Sequence, residues 1–357
     1  MLTYLEPVKQ RVSQTLRDFF STRRAKLAAV SPLGADAGDR LLEFALQGKM
    51  IRAAMVSLGY AIGSRTAVTE APPAAVMAGA AMELFQSGLL VHDDIMDRDL
   101  TRRGRATIFH QYAQAATRQN NADPGHVGEA LGICAGDVAF FLAFELLAVL
   151  PVPEAVRAPL VGLCARELTA VGVAQMQDVA WGASREPVDD RRILSMYCYK
   201  TGRYSFSLPL MAGGLLAGLD PVRLGQLESI GESIGILFQI RDDELGLFGD
   251  EQEIGKPVGS DVREGKKTLL YARLMEKAAG RDRARLARLF GNRSATRRDL
   301  EYVRARAIAL GVRDSLEGTT REIRERALKQ IQSMETGTEV EKDQLRELVD
   351  FAVSRRQ

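Results

Sequence analysis

The sequence has few cysteines and histidines and no surplus of either charge. The cysteines Cys134, Cys164 and Cys198 lie far apart along the 357 residues, which argues against a disulfide framework and favours a reducing compartment. Three histidines are too few for a His-rich zinc site. Lysine and arginine number 48 against 46 acidic residues, so the net charge of +2 gives no reason to expect a nucleic acid or an anionic membrane as partner.

A long uninterrupted apolar run is also missing. The first residues, MLTYLEPVKQRVSQTL, carry charges and lack the apolar core of a secretory signal, so we expect a cytoplasmic protein. The most apolar stretch, residues 71–91, is interrupted by Glu83 and Gln86 and is followed by a pair of aspartates. A membrane-spanning helix needs about twenty apolar residues, so this stretch is predicted to be a buried core helix and no transmembrane segment is expected.

Helical patterns dominate what is present. Segments rich in Ala, Leu, Glu, Arg and Gln recur between short breaks, and the alternating Val, Ile and Thr pattern of strands is almost absent. No internal repeat or change in composition divides the chain, so we expect one all-α domain over residues 1–357. The Arg- and Glu-rich part after residue 280 is predicted to form a solvated outer layer of helices. The predicted breaks are 31–39, 63–73, 120–128, 151–153, 182–190 and 249–265.

The first notable cluster is made of aspartates. Asp93, Asp94 and Asp97 close the apolar segment LLVHDDIMD. At about 100° per residue, Asp93 and Asp97 lie roughly 40° apart and one turn apart, so they share a helix face and can share a ligand. Carboxylates at the C-terminal end of a helix repel each other and the helix dipole. A cation is therefore expected to offset them, and hard oxygen ligands suit Mg²⁺.

A second pair of aspartates, Asp242 and Asp243, ends another apolar helical segment, and Gln239 stands one turn before it. One such cluster alone is as often a solvated helix end with salt bridges to its neighbours. Two apolar helices that each end in paired aspartates are much less expected by chance, so we interpret the two clusters together as metal sites.

Several groups of basic residues are predicted to supply the other half of a diphosphate site. Gly48, Lys49 and Arg52 are interpreted as two cations on one helical face, behind a glycine that allows close backbone approach. Arginine binds phosphate oxygens in bidentate fashion, whereas lysine acts as a point charge. Each group alone is more often a surface charge, so the prediction depends on their occurring together. The remaining groups are Arg102 with Arg103, Lys200 with Thr201, and Lys256 with Lys266.

In chain order, these segments resemble the trans-type isoprenyl diphosphate synthases, also called polyprenyl synthetases. The resemblance implies an all-α fold, a single large helical bundle around a central apolar cavity lined by the two aspartate-bearing helices, and usually a homodimer. The matching segments span most of the chain and are GKMIR (48–52), HDDIMDRDLTRRG (92–104), KTGRYSF (200–206), FQIRDD (238–243) and GKPVGSDVREGKKTLL (255–270).

The resemblance also implies a reaction. An allylic diphosphate ionises to a carbocation, isopentenyl diphosphate attacks it, and Mg²⁺, with about three ions per active site, assists. The implied metal ligands are Asp93, Asp97 and Asp242, supported by Asp94 and Asp243, and with Arg102 and Lys200 these residues are implied to carry catalysis. The residues implied to bind isopentenyl diphosphate are Gly48, Lys49, Arg52, Gln86 and Arg103. Those implied to bind the allylic diphosphate are Arg102, Lys200, Thr201, Gln239, Lys256 and Lys266.

Two positions depart from the family pattern. Gln86 stands where many relatives have histidine, and ideal geometry places it two turns before Asp93 and about 20° from it. Its amide donates to a phosphate oxygen but lacks the positive charge of histidine. Gly246 stands where the second motif would have a third aspartate, and weaker metal binding is expected there.

Residues before Asp93 bear on product length. Gly88 and Leu89 stand five and four residues before Asp93, where relatives with shorter products often carry aromatic side chains. We expect Gly88 to open the cavity and Phe85, about 12 Å along the helix from Asp93, to form its floor. This favours geranylgeranyl diphosphate as product. The alternative products are farnesyl diphosphate and a product longer than geranylgeranyl diphosphate. The alternative role of Gly88 is merely to let a neighbouring helix pack closely.

Two other kinds of protein stay open as alternatives. A class I terpene cyclase also uses DDxxD and Mg²⁺, but it normally adds an NxxxSxxxE segment, where this chain has DDELG. A non-catalytic regulatory subunit of the same fold is favoured by Gly246 alone. No function is assigned to the polar segment 117–128.

Overall fold

The computed structural model describes residues 2–184, 186–249 and 258–355, and most of them are helical. Within these ranges, strands are confined to a short antiparallel ribbon of β1 (Thr101–Arg102) and β2 (Arg105–Ala106), which confirms the all-α prediction. The helices are α1 (Leu5–Val30), α2 (Pro32–Leu46), α3 (Ile51–Ser64), α4 (Pro73–Asp97), α5 (Ile108–Arg118), α6 (Pro124–Ala148), α7 (Glu154–Ala183), α8 (Asp190–Tyr197), a π-helical segment (Cys198–Ser207), α9 (Leu208–Leu216), α10 (Pro221–Phe248), α11 (Ser260–Glu264), α12 (Leu269–Lys277), α13 (Gly280–Leu289), α14 (Arg297–Ala309), α15 (Val312–Gln332) and α16 (Glu339–Ser354), with a 3₁₀ turn at Val68–Glu70.

The predicted breaks 63–73, 151–153 and 182–190 agree with the helix ends. The breaks 31–39 and 120–128 are too long, because the next helices begin at Pro32 and Pro124. The break 249–265 lies partly outside the described residues and contains α11. The chain breaks at Ser31, whose hydroxyl accepts the Leu33 N–H at 3.3 Å, and Pro32 begins α2. Proline in the first turn of a helix removes no intrahelical hydrogen bond, so Pro32 starts a helix here. The 117–128 segment connects α5 to α6, and Asp123 caps α6 by accepting the His126 N–H at 3.1 Å.

The contacts within the chain divide it into two compact units, and each combines two separate stretches. The N-terminal unit comprises Leu2–Gly162 and Pro209–Asp220. The C-terminal unit comprises Leu163–Leu208 and Pro221–Gln357. The single domain expected from the sequence stays a prediction.

In the N-terminal unit, α4 is the central helix and packs against α1, α3 and α6. Helices α4 and α6 are long and apolar enough, by length and composition, to cross a membrane. However, 78% of the apolar window of α4 is buried inside the protein, against 44% for α6. Helix α4 is therefore the buried core helix that the sequence predicts, and α6 leaves part of its apolar surface exposed.

In the C-terminal unit, α10 is the central helix and packs against the π-helical segment, α15 and α16. The outer helices α15 and α16 each bury one apolar face, which includes Leu316 and Ile323 in α15 and Leu345 in α16. Their packing holds α10, the helix that carries the second aspartate pair.

Candidate active site

The first aspartate cluster occupies the last turns of α4, as predicted. The side chain of Asp93 is 28% exposed, whereas that of Asp94 is 1% exposed. Asp97 follows Asp93 by one turn and is half-buried. Adjacent residues of a helix point about 100° apart, so Asp94 turns into the protein while Asp93 and Asp97 share the accessible face.

Asp94 anchors Arg102 from the ribbon that follows α4. Arg102 Nε lies 2.5 Å from Asp94 Oδ1, and its Nη2 lies 3.7 Å from Asp93 Oδ2. The guanidinium is itself buried. Burial raises the pKa of Asp94 to about 7, while the charge of Arg102 acts in the opposite direction. Arg102 is therefore fixed beside the first cluster as a charge partner of two aspartates.

The prediction that Lys49 and Arg52 share one helical face is wrong. Met50 lies between them with φ 54° and ψ 40°, a left-handed conformation that separates α2 from α3. Lys49 therefore lies in the connection, and Arg52 alone is in the first turn of α3. Gly48 does lie near another predicted ligand, since a Cβ atom at Gly48 would be 3.7 Å from Nη1 of Arg103.

Arg103 stands at the turn of the β1–β2 ribbon. Arg103 and Gly104 have φ values of 52° and 74°, as a tight two-residue hairpin requires. Burial and the neighbouring Arg102 lower the pKa of Arg103, and the carboxylate of Glu83 acts against them. Gln86, the other ligand predicted on α4, is the one residue between 78 and 88 that is not fully buried. The N-terminal unit thus gathers Gly48 and Arg103, and it holds Arg102 at the aspartates.

Gly88 faces helix α6. A Cβ atom at this position would lie 2.9 Å from the carbonyl oxygen of Gly136 and 3.0 Å from the ring of Phe140. The expectation that Gly88 opens the cavity is therefore wrong, and the alternative of close helix packing is the one that the structure shows. Phe85 is fully buried against Phe144, with ring centroids 4.9 Å apart at 71°. The roles of Phe85 and of the half-buried Leu89 in product length stay predictions.

In the C-terminal unit, the second aspartate pair lies within α10, which continues beyond it to Phe248. The prediction that the pair ends the helix is therefore wrong. The side chain of Asp242 is 56% exposed and accepts a hydrogen bond from Nη2 of Arg355 at 2.6 Å. The guanidinium of Arg355 also lies 3.6 Å from the ring centroid of Phe238. Asp242 is thus accessible, with an arginine from the end of α16 as its ion-pair partner.

Asp243 is buried and accepts hydrogen bonds from two side chains. Gln239 Nε2 donates to it at 2.8 Å, and the Tyr197 hydroxyl donates to its other oxygen. Burial, followed by the charge of Asp261, raises the pKa of Asp243 well above its usual range. The Tyr197 oxygen in turn accepts the Leu269 N–H at 3.0 Å. Asp243 therefore joins α10 to α8 and, through Tyr197, to the start of α12.

The hydrogen-bond chain extends to the KTG segment. Thr201 Oγ1 donates to Gln239 Oε1 at 2.7 Å. Lys200 forms an ion pair with Asp178, a buried aspartate of α7. The structure thus brings together Lys200, Thr201 and Gln239, three of the residues predicted to bind the allylic diphosphate, within the C-terminal unit.

The π-helical segment that carries Lys200 and Thr201 is held by Arg203. Its guanidinium binds Glu167 with two hydrogen bonds, at 2.7 and 2.9 Å, and Glu232 with one at 2.8 Å. It also pairs with Glu228. Hydrogen bonds to Glu167 raise the pKa of Arg203, so the guanidinium stays protonated. The π-helical segment is therefore fixed to α7 and α10.

Lys266 and Gly246 lie near Asp261. Lys266 Nζ is 2.9 Å from Glu264 and 3.9 Å from Asp261. A Cβ atom at Gly246 would lie 2.9 Å from Asp261 Oδ2, so the missing third aspartate leaves room for the Asp261 carboxylate. Lys256, the remaining predicted ligand, lies outside the described residues.

Sequence reasoning missed several residues of these networks, among them Glu83, Asp178, Tyr197 and Arg355. Glu83 and Asp178 are single carboxylates in apolar helical stretches, and a charge at such a position indicates a buried partner. No sequence pattern indicates a role for Tyr197 or Arg355, because their partners are distant in the chain.

Two accessible carboxylates, Asp93 and Asp97, offer hard oxygen donors on one face of α4. Within the described ranges, no three His, Cys, Asp or Glu side chains gather closely enough to hold a metal ion. Mg²⁺ typically takes one or two carboxylates and completes its octahedron with water and substrate phosphate oxygens. Asp93 and Asp97 therefore fit a Mg²⁺ site that a diphosphate completes.

Comparison with known proteins agrees with this chemistry. The geranylgeranyl diphosphate synthase of Sulfolobus acidocaldarius is 35% identical over 228 residues, which cover 63% of this chain and 64% of that protein. The geranylfarnesyl diphosphate synthase of Aeropyrum pernix is 31% identical over 291 residues, with 80% of this chain and 84% of that protein covered. The crystal structure of the geranylgeranyl pyrophosphate synthase of Corynebacterium glutamicum, complexed with isoprenyl diphosphate and magnesium, has a TM-score of 0.92 at 28% identity and covers 99% of both chains.

The family model of the polyprenyl synthetases matches residues 39–307, which include both aspartate clusters and the KTG segment. Since the match covers most of the chain, the protein belongs to the polyprenyl synthetase family.

Proposed function

We propose that the protein is a trans-prenyltransferase that condenses isopentenyl diphosphate head to tail with an allylic diphosphate. The observation that carries the proposal is the first aspartate cluster. Asp93 and Asp97 present two accessible carboxylates on one helix face, and Arg102 is fixed beside them by a 2.5 Å ion pair with Asp94. Carboxylates for a divalent cation, next to a fixed guanidinium group, suit a diphosphate.

Each group of residues has a proposed role in this reaction. Lys49, Arg52 and Arg103 bind isopentenyl diphosphate, with Gly48 and Gln86 beside them. Lys200, Thr201 and Gln239 bind the allylic diphosphate, with Arg102, Lys256 and Lys266. Asp93, Asp97 and Asp242 would hold Mg²⁺, about three ions in all. When bound, Mg²⁺ would neutralise the negative charge that develops on the leaving diphosphate.

The bond changes follow from these roles. The allylic C1–O bond breaks and its electron pair leaves with the diphosphate, whose charge Arg102 and Lys200 stabilise. The double bond of isopentenyl diphosphate forms the new bond to C1. Loss of a proton from the adjacent carbon, with the released diphosphate as acceptor, restores a double bond. No covalent intermediate with the protein is needed.

The proposed product is geranylgeranyl diphosphate. This proposal now depends on the similarity to synthases named for that product, because Gly88 faces α6 and gives no support for a longer cavity. Phe85, fully buried against Phe144, stays our candidate for the floor. The cytoplasmic location likewise stays a prediction.

A second copy of the chain is the proposed partner of helix α6. Phe141 and Ile133 on this apolar helix are 71% and 48% exposed. Large apolar side chains exposed along one helix favour association, and a homodimer is what the family resemblance implies.

The test is a condensation assay on the purified protein. Labelled isopentenyl diphosphate, Mg²⁺ and dimethylallyl, geranyl or farnesyl diphosphate are incubated separately, and the products are sized by chromatography. A twenty-carbon chain is expected, and no condensation with any primer would refute the proposal. Asp93→Asn should lower turnover on the order of a hundredfold. Asp39→Asn is the matched control, because Asp39 is an exposed aspartate in a surface ion pair with Arg24.

A further inference from the structure

Glu83, a buried carboxylate of α4, is not among the residues proposed to bind a substrate or Mg²⁺. Glu83 is 5% exposed and lies about 15 Å before Asp93 along the helix axis, at 1.5 Å per residue. A glutamate in a protein core is rare unless hydrogen bonds and opposite charges compensate for the loss of water. The groups around Glu83 therefore indicate what it does.

Glu83 binds the first turn of α3. Its Oε1 accepts the Ala53 N–H at 3.0 Å. The first N–H groups of a helix have no acceptor within the helix, and Met50, the residue before α3, provides no side-chain cap. The Glu83 carboxylate satisfies this helix end, whose positive dipole stabilises the negative charge. The contact thus determines where α3, which carries Arg52, begins relative to α4.

Two cations interact electrostatically with this carboxylate. Burial raises the pKa of Glu83, whereas the charges of Arg52 and Arg103 and the hydrogen bond from Ala53 act in the opposite direction. Arg103 needs such a partner, because burial and repulsion by Arg102 lower its pKa. Glu83 is therefore coupled to both arginines that are proposed to bind isopentenyl diphosphate.

We propose that Glu83 is a positioning residue for the isopentenyl diphosphate site. It holds Arg52 and Arg103 in place and compensates their mutual repulsion before the substrate binds, and it does not touch the substrate itself. The inference rests on the function proposed above for these two arginines. Preorganised cations bind a diphosphate without first having to be brought together, so the loss of Glu83 should weaken substrate binding.

The test separates the two substrates. Glu83→Gln keeps the length of the side chain and an acceptor for the Ala53 N–H, but it removes the charge. We expect the KM for isopentenyl diphosphate to rise about tenfold, the effect of weakening one charge-assisted interaction, while the KM for the allylic diphosphate changes less than about twofold. Glu83→Asp keeps the charge but withdraws it by one methylene, and a smaller rise is expected.

Ser87→Ala is the matched control. Ser87 is also buried, one turn further along α4, and its hydroxyl donates to the Glu83 backbone carbonyl at 2.8 Å. This substitution removes a buried polar group from the same helix without changing a charge. Both KM values should stay as in the wild type.

A second readout does not depend on turnover. Calorimetric titration with isopentenyl diphosphate alone should show the same tenfold loss of affinity in Glu83→Gln. If isopentenyl diphosphate bound to the wild type and bound to Glu83→Gln with the same affinity, the inference would be overturned and the proposed function would stay intact. Equal rises in both KM values, together with a lower free energy of unfolding, would show a merely structural role and would also overturn it. A wild type that neither binds isopentenyl diphosphate nor condenses it would overturn both.

Discussion

The substitution Gly88→Ala, which adds one methyl group, tests whether Gly88 allows close helix packing or shapes the cavity. In Gly88→Ala the new Cβ would lie 2.9 Å from the carbonyl oxygen of Gly136 and 3.0 to 3.1 Å from two ring atoms of Phe140. Carbon atoms do not approach an oxygen this closely without displacement. Because Gly136 presents backbone, helix α6 must shift away from α4.

The magnitude follows from two opposing contributions. Overpacking a core typically costs ~1–3 kcal/mol. Alanine in a helix interior is more favourable than glycine by about 1 kcal/mol. We therefore expect Gly88→Ala to lower the free energy of unfolding by ~1 kcal/mol. Gly318 in α15 is the matched control, because nothing lies within 4 Å of a Cβ atom added there. Gly318→Ala should raise the free energy of unfolding by up to about 1 kcal/mol.

The assay combines urea unfolding, followed by circular dichroism, with sizing of the condensation product. The difference between the two variants isolates the packing cost, and the product of Gly88→Ala should stay as in the wild type. If Gly88→Ala were as stabilising as Gly318→Ala, the close contact with α6 would be refuted. A shorter product at unchanged stability would instead place Gly88 beside the growing chain.

Three further predictions concern the C-terminal unit and the exposed face of α6. Tyr197→Phe removes the donor to buried Asp243 and leaves a buried N–H without its acceptor, so urea unfolding should show a loss of about 1–3 kcal/mol. Arg355→Gln removes the ion-pair partner of Asp242, so the Mg²⁺ concentration for half-maximal turnover should fall by about two- to fivefold, and an unchanged titration would show that arginine and metal do not compete. Phe141→Glu places a charge on the exposed apolar face of α6, and light scattering should show a monomer if this face binds a second copy.

The helices and their order follow from sequence patterns, because period, breaks and capping residues are local. Spacing along α4 also predicts correctly that Asp93 and Asp97 share a face. Lys49 shows where local reasoning fails, since the left-handed backbone at Met50 interrupts what spacing alone predicts as one helix. The prediction that Gly88 faces the cavity is wrong for another reason. Spacing relates residues of one helix to each other, but it does not show which neighbouring helix packs against which face.

Sequence patterns also do not predict ion pairs between segments that are distant in the chain. Lys200 was predicted to bind a diphosphate, and nothing near it in sequence points to Asp178 on α7 as its partner. The same holds for Arg355 and Asp242, because the C-terminal end of the chain has no pattern that predicts its contact with α10. The sequence therefore indicates which groups can bind a diphosphate, and the structure adds the carboxylates that hold these groups.

The two aspartate pairs show the same division between an accessible and a buried carboxylate. Neighbouring residues of a helix point about 100° apart, so at the edge of a core one member of a pair turns inward and needs a partner. Asp94 turns inward onto Arg102, and Asp243 onto Gln239 and the Tyr197 hydroxyl. In each pair the first aspartate stays accessible to a cation. The second holds a residue proposed to bind the diphosphate, so a pair of aspartates meets both needs where a single one would meet only one.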